Sequence, residues 1–248
     1  MRSRALLLIF LMMGMSVSSI ATADSTISSS TTWSGNVVLS GNVTVDASTT
    51  LVIESGTVVD AQSYWLQIDG ILEAYDAQFM TTETSTSLGS TGAGLWGGIK
   101  ISSGGSAVLS NISISGAESA LQVNGDATIH ESISIMNSYI GFDIGISGTV
   151  DAENVTMSTI DIQSVVNHGT LTIDTALITN TATGILSTNT LTVDDVSFFE
   201  TGVAIDVVSG TADITGLGLE NVSVGLGSDS GASTTVSSIY GQHVALLI

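Results

Sequence analysis

GTLTID (Gly169–Asp174) and NTLTVD (Asn189–Asp194) are nearly the same hexapeptide, written twice 20 residues apart. Each alternates polar and apolar residues, the signature of a strand with one face buried. Moving outward, equivalent segments start at Gly105, Gly125, Gly148, Gly210 and Gly231, giving successive spacings of 20, 23, 21, 20, 21 and 21. Two residues after each start come Ala107, Ala127, Val150, Leu171, Leu191 and Ala212; four after come Leu109, Ile129, Ala152, Ile173, Val193 and Ile214. A second apolar pair follows at Ile112/Ile114, Ile133/Ile135, Val155/Met157, Ala176/Ile178, Val196/Phe198 and Leu217/Leu219. A third stretch closes the unit at Leu121/Val123, Phe142/Ile144, Ile160/Ile162, Ile185, Ile205/Val207 and Leu226.

A fixed period of this length, about 21 residues, is the mark of stacked repeats. One such unit cannot cover its own apolar residues. Stacking puts Leu171 on Leu191 and Ile173 on Val193, at the roughly 4.8 Å spacing of hydrogen-bonded strands. Each buried aliphatic contributes about 1.5–3 kcal/mol, so five or six per coil hold the stack. Every coil runs the same way, so the sheets are parallel, with three short strands per coil around a triangular section. A β-sandwich would instead need hairpin turns, and Asp69-Gly70 and Asn124-Gly125 are the only Asx-Gly pairs.

Earlier segments carry a family resemblance: WSGNVVLSGNVTV (Trp33–Val45), TLVIESGTVV (Thr50–Val59), WLQIDGILEA (Trp65–Ala74) and LWGGIKI (Leu95–Ile101). With the two hexapeptides, they resemble the pectate-lyase-like right-handed parallel β-helix proteins of prokaryotic surface and secreted type. The resemblance spans Trp33 to Ile248 and implies an all-β, right-handed parallel β-helix solenoid. It says little of function, since such proteins include polysaccharide lyases, hydrolases, adhesins and stalks. The organisation expected is an N-terminal cap and first coils over 24–104 and regular coils over 105–248. Thr81–Gly94 (TTETSTSLGSTGAG) is polar and of low complexity, and reads as a loop ejected from one early coil.

Residues 1–23 read as a secretory signal. Arg2 and Arg4 form a positive start, Ala5–Met15 an apolar run, and Ala21-Thr22-Ala23 a small-residue cleavage site. The apolar run is short of the roughly 20 residues that span a bilayer. Residues 24–248 then keep one cation, Lys100, against 23 acids, a net charge of 1 − 23 = −22. That balance excludes nucleic-acid binding through phosphates and argues against docking on anionic membranes. The absence of cysteine excludes disulfides and thiolate metal sites. Export without disulfides points to a prokaryote and to a secreted or cell-surface location.

Candidate chemistry lies on outward positions. Lyases resembling this fold use Arg or Lys as the base with acids holding Ca²⁺; residues 24–248 contain no Arg, and alternation points Lys100 outward. The related hydrolases carry paired aspartates, then His-Gly, then a basic motif. Here His168-Gly169 precedes Asp194-Asp195 and no basic motif follows, so His168-Gly169 reads as a coil-starting turn. Glu153, Asp174 and Asp194 share one offset on three successive coils, with Asp195 beside the last. Like charges stacked this closely repel by about 1 kcal/mol even in water. They either splay into solvent or hold a divalent cation such as Ca²⁺ through their oxygens. Thr149, Thr170, Thr190 and Thr211 form an outward column and Thr172 and Thr192 a second, interrupted by Asp151 and Asp213; a T-x-T face resembles ice-binding surfaces. Asn42, Asn111, Asn154 and Asn221 open N-x-S/T sequons that could carry glycans. His130 and His243 lack ligand-spaced partners and read as surface residues.

The expectation is an exported, non-catalytic β-helix module for adhesion, carbohydrate contact or structural spacing, meeting polysaccharide or cell-surface glycans. A polysaccharide-degrading enzyme and an ice-binding protein are the alternatives. Val244–Ile248 ends on strand-like sequence without a cap, so further β-helix coils or a second subunit are expected beyond it.

Overall fold

The computed structural model describes residues 21–22, 24–84 and 92–246. Residues 1–23, read above as a signal, therefore lie outside the described residues except for Ala21–Thr22, which pair in parallel with Leu39–Ser40. Residues 85–91, in the stretch read as an ejected loop, and the last two residues lie outside them too.

Among the described residues there is no helix, and every strand pairing is parallel. The chain winds a parallel β-solenoid of about ten turns, roughly 21 residues apart. Three faces result. The first stacks Ser25–Ile27, Val43–Val45, Trp65–Ile68, Gly98–Ile101 and Ser119–Val123. The second stacks Thr31–Trp33, Thr50–Ile53, Ile71–Tyr75 and the start of Ser106–Ser115. The third stacks Asn36–Ser40, Val58–Asp60, Gln78–Met80 and the end of Ser106–Ser115. From Asp126 onward the three strands of a coil run together as one bent ribbon, as in Asp126–Ile144 and Thr170–Ser187.

The repeat pairs as its apolar pattern requires. Thr170 aligns with Thr190, Leu171 with Leu191 and Ile173 with Val193. Inward residues form continuous columns: Ala107, Ala127, Val150, Leu171, Leu191 and Ala212 are all at most 3% exposed. Parallel strands buried by stacking in this way need no second layer, because the coil encloses its own core.

The corner between the third and first faces turns on a single residue. There Asn137, Thr159, Asn180, Glu200, Asn221 and His243 have φ of 51 to 56°, and Gly116 holds the same place at 78°. Asparagine and glycine tolerate this left-handed backbone best. The residue that follows points inward, so Ala117, Ser138, Ile160, Thr181, Thr201 and Val222 are buried.

Two register details depart from the periodic reading. Phe142 aligns with Val165, not with Ile160, and Ile144 with Asn167; Ile162 is 50% exposed at a corner. That coil carries an irregular corner at Ile160–Gln163, which offset the count. In the last coil Gly210 pairs with Ala232 instead of Gly231, so this repeat is longer by one than the spacing of its glycines.

The insertion sits where Thr81–Gly94 was expected. One coil earlier, Asp60 passes to Trp65 through a short corner; their partners Met80 and Gly98 are separated by residues 81–97. Its base is tied down by Asp60, whose carboxylate accepts from the Thr82 amide at 3.1 Å, the Thr82 hydroxyl at 2.7 Å and the Gln62 side chain at 2.6 Å.

Candidate functional site

Outward residues of the third face are mostly small and polar over the middle coils. Ser113, Ser134 and Thr156 fill one column; Ser115, Met136 and Ser158 fill the next. The pattern breaks in the last four coils. The columns there read Leu177, Ser197, Gly218, Tyr240 and Thr179, Phe199, Glu220, Gln242. Leu177 is 46% and Tyr240 56% exposed, although the solenoid's own core has no use for either.

Gly218 explains how the ring is held. A Cβ there would lie 2.9 Å from Tyr240 Cε2 and 3.0 Å from its Cζ, so the aromatic ring rests on bare backbone. From that position the Tyr240 hydroxyl reaches back two coils to donate to Asp195 Oδ1 at 3.4 Å. Beside it the Gln242 amide donates to Glu220 Oε1 at 2.8 Å. Two depressions share the ring as a wall. One of about 530 Å³ is bordered by Leu177, Phe199, Glu220 and Gln242; the other, of about 350 Å³, by Asn154, Thr156, Thr175 and Asp195. Leu177, Ser197 and Tyr240 belong to both, so the groove crosses five coils, a length of about 19 Å at the inter-strand spacing.

The acidic column is present as a register feature. Glu153, Asp174 and Asp194 follow Ala152, Ile173 and Val193, which pair coil to coil, and Asp195 aligns with Thr175 and Asn154. Glu153 is turned to the preceding coil. Its Oε2 accepts from the Glu131 amide at 2.9 Å and its Oε1 meets His130 Nδ1 at 3.1 Å. The amide hydrogen bond first, and His130 second, hold the Glu153 carboxyl below its ordinary value. Asp195 faces Tyr240. Among the described residues no three histidine, cysteine or acidic side chains gather as a metal site.

The threonine columns also align, Thr149 with Thr170, Thr190 and Thr211, and Asp151 and Asp213 bracket Thr172 and Thr192. Lys100 does point outward, between buried Ile99 and Ile101, with its ammonium 5.6 Å from the centroid of Trp65. His168 turns into a coil start and bonds Thr188 Oγ1 at 2.7 Å. His130 and His243 are exposed.

The four sequon asparagines occupy structural positions. Asn42 Oδ1 accepts from the Trp65 amide at 3.3 Å, and Asn154 donates to the Glu131 carbonyl at 2.5 Å. Asn111 and Asn221 both have φ of 55° at tight corners. Asn111 also donates to Asp76 at 2.7 Å, and with Ser55 lowers that carboxyl's pKa. Turn geometry thus accounts for asparagine at 111 and 221 without a modification.

Set against protein-family models, curated proteins and solved structures, the chain matches none. Sequence reasoning missed the groove. Its signal was present in Leu177, between inward Ala176 and Ile178, and in Phe199, beside inward Phe198: large apolar residues at outward offsets.

Proposed function

We propose that the protein is an exported, non-catalytic β-solenoid module that contacts carbohydrate at the cell surface. The observation that carries this reading is the groove of the third face. It combines an exposed aromatic ring and aliphatic side chain with amide, hydroxyl and carboxylate groups along about 19 Å of rigid sheet. Such a mixture suits a sugar chain, whose rings have apolar faces and hydroxyl edges. A rigid parallel stack offers it at little ordering cost. Ligand sites of this kind are concave, partly apolar and carry a few placed polar groups. The leader read in residues 1–23 supports export, and its removal leaves a strongly anionic surface that resists aggregation.

The reading against catalysis is supported by the sparse basic chemistry: Lys100 is the only lysine or arginine among the described residues, and it lies on the first face, not in the groove. No helix among the described residues is long and apolar enough to cross a membrane. The test is incubation of the purified chain with neutral and acidic polysaccharides, with and without Ca²⁺. Retention on a polysaccharide without release of reducing or unsaturated ends is the expected result. Release of either, above a Glu153/Asp174/Asp194→Ala control, would establish a degrading enzyme instead.

A further inference from the structure

We infer that the third-face groove selects uncharged glycans, running a linear chain obliquely across the coils with one sugar stacked on the Tyr240 ring. The inference rests on the carbohydrate-contact reading and names the site and the ligand class for it.

Three observations combine. First, Tyr240 is not merely exposed; it is laid down. A side chain at Gly218 would collide with the ring, and a long 3.4 Å contact to Asp195 orients its far end. An aromatic ring held flat with its upper face in solvent presents an electron-rich surface to the C–H bonds of a pyranose. Second, the two depressions form an oblique groove: Asn154, Thr175 and Asp195 line one outward column and Glu220 and Gln242 another, four residues further along the strand, with Tyr240 between them. Hydrogen-bonding side chains therefore recur at the inter-coil spacing of about 4.8 Å, close to the length of one sugar unit. Third, the polar groups are acceptor-rich. Asp195 and Glu220 flank the ring, no lysine or arginine lines either depression, and residues 24–248 carry 1 − 23 = −22. Sugar hydroxyls donate to carboxylates. Uronate or sulfate groups would meet like charge at Asp195 and Glu220.

The experiment titrates the full chain with a neutral β-1,4-glucan hexasaccharide and with an α-1,4-galacturonan hexasaccharide, followed by calorimetry. Two groove variants accompany it: Tyr240→Ala, which removes the platform, and Gly218→Val, whose Cβ would collide with the ring and with Ser197 Oγ and so displaces the platform. Far-UV circular dichroism confirms that both stay folded. Expected are binding of the glucan, weakening by about tenfold in each variant, and no binding of the galacturonan in about 0.1 M salt.

Galacturonan binding as tight as glucan would overturn the charge selection while leaving carbohydrate contact standing. Glucan binding unchanged in both variants would overturn the site. Binding of neither hexasaccharide at millimolar concentration would overturn this inference, and tests of other polysaccharides would then decide the broader reading. An affinity for the neutral chain that is unchanged between about 0.05 and 1 M salt would support it further, since no ion pair is involved.

Discussion

Replacing Asn167 by leucine should destabilise the solenoid even though the substitution makes its core more apolar. The inward column on the first face reads Val45, Ile68, Ile101, Val123, Ile144, Asn167, Ser187 and Val207. Asn167 and Ser187 are both 0% exposed within it. The Asn167 amide donates to Ser187 Oγ at 3.1 Å and to the Thr190 carbonyl at 2.8 Å, while its oxygen accepts from the Gly169 amide at 3.1 Å. Asn167→Leu strands those three groups, at about 1–3 kcal/mol each. The new side chain returns about 1.5–3 kcal/mol by burial. At the centre of those ranges the balance is a loss of about 3–4 kcal/mol. For a chain of this size that lowers Tm by about 6–16 °C. Thermal unfolding followed by far-UV circular dichroism reads the shift. Adding Ser187→Ala should recover part of it, because one of the stranded groups disappears. A leucine variant as stable as the parent would refute the reasoning, and would show that column continuity outweighs the hydrogen bonds at this corner.

Other substitutions probe the remaining features. Ser164 is 0% exposed and its Oγ has no hydrogen-bond partner, so Ser164→Ala should raise Tm by a few degrees, an increment of about 1 kcal/mol; a fall in Tm would mean that the hydroxyl is used. Asn221 sits at φ 55° with an exposed side chain. Asn221→Gly should be near neutral, whereas Asn221→Val should cost about 1–2 kcal/mol, and equal melting of the two would disprove the corner argument. Glu153, whose pKa the Glu131 amide and His130 depress, contributes stability that is present above its ordinary value and is lost as pH falls through the lowered one. Glu153→Gln should therefore melt below the parent near neutral pH, with the gap closing below about pH 4. A gap that persists well into acid would assign the loss to packing.

Much of the architecture was legible because its cause is periodic. Alternation buries Leu171 and Ile173, and recurrence at the coil period stacks them on Leu191 and Val193; both are properties of spacing alone. The corner at Ile160–Gln163 was not legible, because Ile160 and Ile162 are as apolar as the residues they displaced. Which of them faces inward depends on a left-handed φ of 56° at Thr159. The acidic column was visible as an offset, but not the rotation of Glu153 toward His130, since a side chain's direction at a corner follows from the neighbouring coil.

The candidate groove was marked in sequence only by large apolar residues at outward offsets, Leu177 and Phe199. Leu177, Phe199, Gly218 and Tyr240 come from four successive coils, and nothing in their local sequence joins them. The linear chain by itself determined the parallel stack, the inward columns, the outward acids and the strongly negative charge, because each depends only on residue type and period. Tertiary structure decided which outward residues meet. Stacking brings positions a full repeat apart in the chain to within a strand spacing, and a glycine on one coil lays down a ring borne by the next.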